Sequence, residues 1–243
     1  MRLITIQQQD CLILYDADSL CDAAGSHQIQ PALFTASYWQ RRGRITGEAP
    51  GRGNSLFVKP DPDCYQEWVI RHYLRGGLIA RLSRNQYLWM GRERTRAFAE
   101  MRLNAHLFER GLPVPRPIAA WVSRHGLTYE AALITQRIPG ARALADCLND
   151  QQISKDALKA LLIAVGRMIR RFHDHCLDHV DLNARNILID SQHKPWLIDL
   201  DRCRLRRPGE WKKANLNRIE SSIHKFDPSV SVTPLLQGYR TTA

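Results

Sequence analysis

Apolar and polar positions along the 243-residue chain follow two different rhythms. Up to about residue 90 the apolar runs are short. Leu12-Ile13-Leu14-Tyr15, Ser55-Leu56-Phe57-Val58 and Trp68-Val69-Ile70-Arg71 are brief β-prone stretches, punctuated by Gly51-Arg52-Gly53-Asn54 and Asp61-Pro62-Asp63. The rhythm then turns helical. Phe98, Met101, Ala105 and Phe108 form one stripe, which predicts a helix from about Thr95 to Arg110. Thr95 can cap its start, and Gly111 stops it ahead of Pro113, Pro115 and Pro117. Residues 131–138 read as a further strand, closed by Pro139-Gly140. A long helix is expected from about Ser154 to His173, because Leu158, Leu161, Leu162, Val165, Met168, Ile169 and Phe172 recur at helical steps. Two short strands follow, over residues 186–189 and 196–198, with a turn between them. The predicted order is strands, helix, strand, long helix, β-hairpin and a basic tail. The strand-rich and helix-rich halves meet near residues 133–140, and no internal repeat is visible.

Glu100 breaks the pattern of its helix. It lies off the main stripe but in a row with Leu103 and Leu107, at i+3 and i+7. A carboxylate in line with two leucines points partly inward, where it needs a cationic partner.

Charge narrows the function. The chain carries 35 Lys plus Arg against 24 Asp plus Glu, a formal net charge of +11. Only seven of the basic residues are lysine, so arginine exceeds it fourfold. Arginine is suited to forked recognition of phosphate and carboxylate, and the excess calls for an anionic partner. At 44% hydrophobic and 24% charged residues the chain is neither disordered nor of low complexity. It has no apolar run near the roughly 18 residues of a membrane span. Its N-terminus lacks the pattern of a signal peptide, so a cytoplasmic address is expected. The six cysteines form no C-x-x-C pair and the nine histidines no H-E-x-x-H, so neither a zinc framework nor a disulfide scaffold is expected. Nucleic acid, the default partner at this charge, is disfavoured, because aromatic and basic residues do not interleave on a repeated platform.

The segment richest in chemistry is His179-Val180-Asp181-Leu182-Asn183-Ala184-Arg185-Asn186-Ile187-Leu188, with Leu197-Ile198-Asp199-Leu200-Asp201 beyond the hairpin. It resembles the kinase catalytic loop, H-x-D-x-x-x-x-N, followed by the metal-binding D-F-G segment. Phosphoryl transfer explains the residue types. Asp181 is the candidate to orient the acceptor hydroxyl and take its proton. Asn186 and Asp199 are hard oxygen ligands suited to the Mg²⁺ that accompanies ATP. His179 is read as a structural anchor, and Asp201 either caps a turn or joins the metal site. Asn183 stands where protein kinases carry a second lysine.

The resemblance implies an α+β, bilobal protein-kinase-like fold. Residues 1–135 would form a β-rich N-lobe holding the ATP phosphates. Residues 136–243 would form a small, truncated helical C-lobe with the catalytic loop, metal site and acceptor site. Gly51 and Gly53 resemble a glycine-rich phosphate loop without its third glycine, although an ordinary hairpin turn has the same signature. The strand-three lysine is missing. Arg71 occupies the matching place, and paired with Glu100 it would hold the α/β phosphates; Lys59, His72 and Arg75 are the alternatives. Only 44 residues follow Asp199, with no A-P-E segment, which disfavours a protein substrate and favours a small or lipid-linked acceptor.

A more specific resemblance runs through Trp68 to Leu78, Tyr87-Leu88-Trp89, Thr95 to Glu100, Gly111 to Pro117, His179 to Leu188 and Leu197 to Arg202; Tyr38-Trp39 and Asn215-Leu216-Asn217-Arg218 belong with it. Together these are similar to the 3-deoxy-D-manno-octulosonic acid (Kdo) kinases over roughly residues 12–226. Leu200 in place of the usual Phe, and Val180, are small departures. The resemblance implies transfer of the ATP γ-phosphate to the 4-hydroxyl of Kdo on Kdo-lipid A precursor, in lipopolysaccharide core biosynthesis of a Gram-negative bacterium. It also implies a peripheral enzyme at the cytoplasmic face of the inner membrane, with no obligate protein partner. A lipopolysaccharide heptose kinase or an aminoglycoside-type phosphotransferase is the neighbouring reading. The basic run Arg202, Arg204, Arg206, Arg207, Lys212 and Lys213 is expected either to bind acceptor phosphate or headgroups, or to be a solvated tail.

Overall fold

A computed structural model describes residues 1–22, 29–49, 55–61, 65–74 and 86–241. The first elements are β1 (Leu3–Gln8), β2 (Cys11–Asp16), α1 (Ala17–Asp22), α2 (Ala36–Gln40), β3 (Ile45–Ala49), β4 (Ser55–Val58), β5 (Trp68–His72), β6 (Tyr87–Leu88), α3 (Arg96–Glu109), β7 (Pro117–His125) and β8 (Thr128–Gln136). There follow β9 (Arg142–Ala143), α4 (Leu144–Leu148), α5 (Lys155–Asp174), β10 (Leu177–Asp178), β11 (Ile187–Ile189), β12 (Pro195–Leu197), β13 (Arg204–Leu205), α6 (Trp211–Phe226) and α7 (Thr233–Arg240). The chain is α+β. It divides into two compact units, one of residues 1–109 and 116–137, the other of residues 110–115 and 138–243.

The first unit is built on an antiparallel sheet of order β1-β2-β7-β8-β5-β4-β3, with β6 pairing β8. The two-residue period of a strand sends successive side chains to opposite faces. Ile13, Trp68, Ile70, Ala132 and Ile134 join Phe34 and Trp39 in one core cluster. Their neighbours Leu14, Tyr73, Ala131 and Leu133 join Phe98 and Met101 of α3 in the other. A register shift between Pro117 and Ala119 lets Ile118 and Ala119 enter the same cluster. Arg71 pairs with Leu133 across the sheet, which aims it at the α3 face.

In the second unit α5 is the longest helix, close to the expected span, and Ser154 caps it by accepting from the Ala157 N–H at 3.2 Å. The segment after Asp199 departs from the expected tail. It contains β13, which pairs with β10, and the two helices α6 and α7. α7 crosses α5 through two glycines. A Cβ on Gly166 would lie 2.0 Å from the Leu235 carbonyl, and one on Gly238 would lie 2.1 Å from the Ile163 carbonyl. Only hydrogen at both positions permits that approach. β11 pairs with both β12 and β9, so the hairpin is part of a three-stranded sheet. Its turn is closed by Asp190, which accepts from the Gln192 and Lys194 N–H groups at 2.9 Å each and from Trp196 Nε1 at 2.8 Å.

Candidate active site

In the second unit, the chain leaves α5 through Cys176, whose φ of 63° turns it into β10. Antiparallel pairing of Leu177 with Leu205 and Asp178 with Arg204 brings the start of the H-x-D loop beside the segment that follows Asp199. His179 lies between these segments. It is buried, its Nε2–H donates to the Ile198 carbonyl at 3.1 Å, and burial holds its pKa below the ordinary imidazole value. The ring is therefore a neutral strut, the anchoring role read from its position.

The hairpin closes the other side of the loop. The Ile198 N–H donates to the Asn186 carbonyl at 3.0 Å, so Asn186 and Asp199 leave adjacent points of one ladder. Asp199 has a φ of 60°, a left-handed conformation that a short polar side chain tolerates better than most. Within the loop, Asn183 Nδ2 and Asn186 Nδ2 both donate to the Asp181 carbonyl, at 3.0 and 2.9 Å. Asn183 Oδ1 in turn accepts from the Arg185 and Asn186 N–H groups. Asn183 is thus a turn-former, which explains a neutral amide at that position. Asp181 keeps an exposed carboxylate that makes no hydrogen bond among the described residues. Asp181, Asn186 and Asp199 are brought together by this one backbone network.

The fit to Mg²⁺ follows from the donor atoms. The Asn186 amide nitrogen is committed to Asp181, which leaves its oxygen as the ligating end. With the Asp199 carboxylate it supplies hard oxygen donors of the kind that share Mg²⁺ with substrate phosphates and water. Among the described residues no three His, Cys, Asp or Glu side chains converge on a metal position, so there is no all-protein cage.

Three groups that the sequence pattern did not single out for a role hold the loop in place. Asn215 on α6 is fully buried; its Oδ1 accepts from the His179 N–H at 3.1 Å and its Nδ2 donates to Asp178 Oδ1 at 2.9 Å. Asp178 is buried too and receives Arg206 Nη1 at 2.9 Å. Ser222 Oγ accepts from the Ala184 N–H at 3.0 Å. Asn215 and Asp178 are polar residues in a core, and that role becomes visible only once β10 and α6 are placed side by side. Arg206 is a correction to the reading of the basic run as a uniform anion-binding surface, since it is the counter-charge of a buried carboxylate. Arg202, Arg204, Arg207 and Lys213 are exposed, and Arg202 Nε lies 3.8 Å from Asp201 Oδ2. Beside α6, a surface pocket of about 310 Å³ is lined by Asp181, Leu182, Asn183, Asn217, Arg218 and Ser221.

In the first unit, Glu100 is 4% exposed and has the cationic partner its position demands: Arg71 Nη2 donates to Oε1 at 2.6 Å, and the Tyr73 hydroxyl donates to Oε2. Arg71 also lies over the Tyr73 ring, its guanidinium carbon 4.9 Å from the centroid. His72 turns to the opposite sheet face, where its Nε2 is 2.7 Å from the Phe34 carbonyl oxygen. Gly51, Gly53 and Arg75 lie outside the described residues.

Comparison with known proteins gives the family. The profile of the lipopolysaccharide kinase (Kdo/WaaP) family matches residues 36–239, which spans every described site residue. A 3-deoxy-D-manno-octulosonic acid kinase of Stenotrophomonas maltophilia (strain K279a) is 42% identical over 235 residues, covering 93% of this chain and 86% of its own. The protein of the same name from Vibrio cholerae serotype O1 is 40% identical over 204 residues, 84% of each chain. That of Xylella fastidiosa (strain M23) is 40% identical over 223 residues, 90% of this chain and 85% of its own. With a match that runs through both compact units and the whole of the H-x-D loop, this chain belongs to the lipopolysaccharide kinase (Kdo/WaaP) family.

Proposed function

We propose that this protein phosphorylates the 4-hydroxyl of Kdo on Kdo-lipid A precursor, using the γ-phosphate of ATP, in lipopolysaccharide core biosynthesis. The observation that carries the reading is the 40–42% identity to Kdo kinases over a span that includes the network joining Asp181, Asn186 and Asp199. In this reading the acceptor hydroxyl approaches the exposed Asp181 carboxylate, which takes its proton as the oxygen–phosphorus bond forms. The bond from the γ-phosphorus to the β–γ bridging oxygen breaks and ADP leaves. Asn186 and Asp199 would hold Mg²⁺, which when bound there neutralises charge on the phosphates. Asn183 and Asn186 position Asp181 through its carbonyl, and His179 fixes the approach of the two segments. Arg71, oriented by Glu100, binds the α/β phosphates. A guanidinium can do this with a fork where other kinases use an ammonium. Residues 1–135 then serve the nucleotide and residues 136–243 the chemistry.

The second half of the proposal is peripheral attachment to the anionic inner-membrane surface on its cytoplasmic face. No described helix is long and apolar enough to cross a membrane. Support comes from an exposed apolar patch on the first unit. Leu88 and Met90 are 69% and 66% exposed and Leu127 is 80% exposed, and the Trp89 N–H donates to the Leu127 carbonyl at 2.9 Å. Arg92, Arg94 and Arg124 are exposed around them. Apolar side chains rimmed by arginines complement an interface of acyl chains and anionic headgroups.

Radiolabelled ATP offered separately with Kdo-lipid A precursor, heptosylated core and an aminoglycoside tests the reading. Label on the Kdo acceptor is expected. Label confined to heptose or to the aminoglycoside would overturn it in favour of the neighbouring phosphotransferases.

A further inference from the structure

The pocket beside Asp181 contains a cation with no structural duty. Arg218 is exposed and, among the described residues, makes no hydrogen bond or ion pair. Its place in α6 is informative. Asn215, Arg218 and Ser222 follow one another at i, i+3 and i+7, which puts them in one row along the helix. The first of the row grips the catalytic loop at the His179 N–H and the last grips it at the Ala184 N–H. Arg218 stands between these two grips, over the stretch that contains Asp181. The adjacent Ile219 is fully buried, so the helix cannot turn to withdraw the row from the loop. Among the described residues, Arg218 is the only cationic side chain lining this pocket and Asp181 the only carboxylate. The pocket's amides differ in availability. Both ends of Asn183 are used within its own turn, while Asn217 is exposed at the rim.

We propose that Arg218, flanked by Asn217, is the acceptor subsite that binds the carboxylate of a sugar-acid substrate while Asp181 receives the proton of its hydroxyl. The inference rests on the kinase reading above and adds to it the basis of acceptor choice. A guanidinium pairs with a carboxylate through two parallel hydrogen bonds, so it fixes orientation as well as charge. The same guanidinium disfavours a polycationic aminoglycoside and gives a neutral sugar no partner. Acidic sugars are thereby selected next to the base, on a helix whose position is set by the loop itself.

The test compares wild type with Arg218→Gln and Arg218→Lys on two acceptors: Kdo-lipid A precursor, and the same acceptor with the Kdo carboxylate converted to its methyl ester. Arg218 is exposed, so both variants should keep the wild-type thermal midpoint. For the acid, Arg218→Gln should raise acceptor KM about tenfold to a hundredfold, the loss expected for a charge-assisted pair, with ATP KM unchanged. Wild type should discriminate against the ester by a similar factor, and Arg218→Gln should treat acid and ester alike. Arg218→Lys should fall between them, since it keeps the charge without the fork. If Arg218→Gln keeps the wild-type preference for the acid, or raises ATP KM as much as acceptor KM, the subsite is wrong and the kinase reading stands. If wild type labels no Kdo acceptor, the kinase reading and this inference fall together.

Discussion

Replacing Asn215 by alanine removes the side chain that joins α6 to the start of the catalytic loop. Three hydrogen bonds disappear: the one accepted from the His179 N–H at 3.1 Å, and those donated to Asp178 Oδ1 and the Trp211 carbonyl at 2.9 Å each. The third costs little, because the Trp211 carbonyl also serves the helix ladder. The first leaves a buried N–H without an acceptor, at about 1–3 kcal/mol. The second takes one of two charged-group bonds from a buried carboxylate, at about 1.5–3 kcal/mol, with Arg206 remaining. A loss of about 2.5–6 kcal/mol follows, a large part of the ~5–15 kcal/mol that holds a domain. Urea unfolding should show it as a lower midpoint, and kcat of the folded fraction should fall because His179 and Asp181 lose their register. Asn215→Asp keeps an acceptor for His179 but sets a carboxylate against Asp178, so its deficit should shrink as pH is lowered. An Asn215→Ala protein within about 1 kcal/mol of wild type, with unchanged kcat, would mean that Asn215 does not hold the loop.

Three further perturbations probe the nucleotide side, the buried imidazole and the apolar patch. Glu100→Gln takes the counter-charge from Arg71; because the Arg71 side chain is 26% exposed, the stability cost should be near the low end of a broken buried pair, about 3 kcal/mol, with a raised ATP KM and an unchanged acceptor KM. His173 is held at a pKa of about 4, mainly by burial and further by Lys212, against about 6.5 when unfolded. From pH 6.5 down to 4 the unfolded chain binds a proton that the folded one refuses, so stability should fall by up to about 3 kcal/mol, and His173→Gln should flatten that slope in urea melts taken at pH 7 and pH 5. Met90→Asp together with Leu127→Asp should weaken sedimentation with anionic vesicles at least tenfold while leaving turnover of a water-soluble Kdo acceptor unchanged; equal sedimentation would remove the patch from the membrane proposal.

How far such features can be read from the chain depends on what each one is made of. The long helix α5 was legible because its apolar residues recur at helical steps, and the structure adds that Ser154 caps it. The hairpin was legible from two short apolar runs around a turn, and Glu100 from its place among leucines. β7 was not, because its center is Ala119-Ala120 after a proline-rich stretch, a weak strand signal. Those small residues are buried because the sheet is packed on both faces. α6 was hidden by its charge. Its buried side is Trp211, Asn215, Ile219 and Ile223, a four-residue step with an amide in it, and the lysines and arginine between them suggested a tail. α7 depends on Gly166 and Gly238 meeting across two helices, which no local pattern encodes. The catalytic motif could be seen as a spacing. Its supports could not, because Asp178 in β10, Arg206 just after β13 and Asn215 in α6 are far apart in sequence and acquire meaning only when β10 pairs with β13 and α6 lies alongside.

If Asp181 serves phosphoryl transfer to Kdo, its loss must show in the chemistry itself. The most direct measurement is the rate of label transfer from γ-labelled ATP to Kdo-lipid A precursor by wild type and Asp181→Asn, both confirmed folded. Label on the Kdo 4-hydroxyl is expected with wild type, and a kcat lower by about 10²–10⁴ with the variant. Full activity of Asp181→Asn, or no label on Kdo with wild type, would contradict that role.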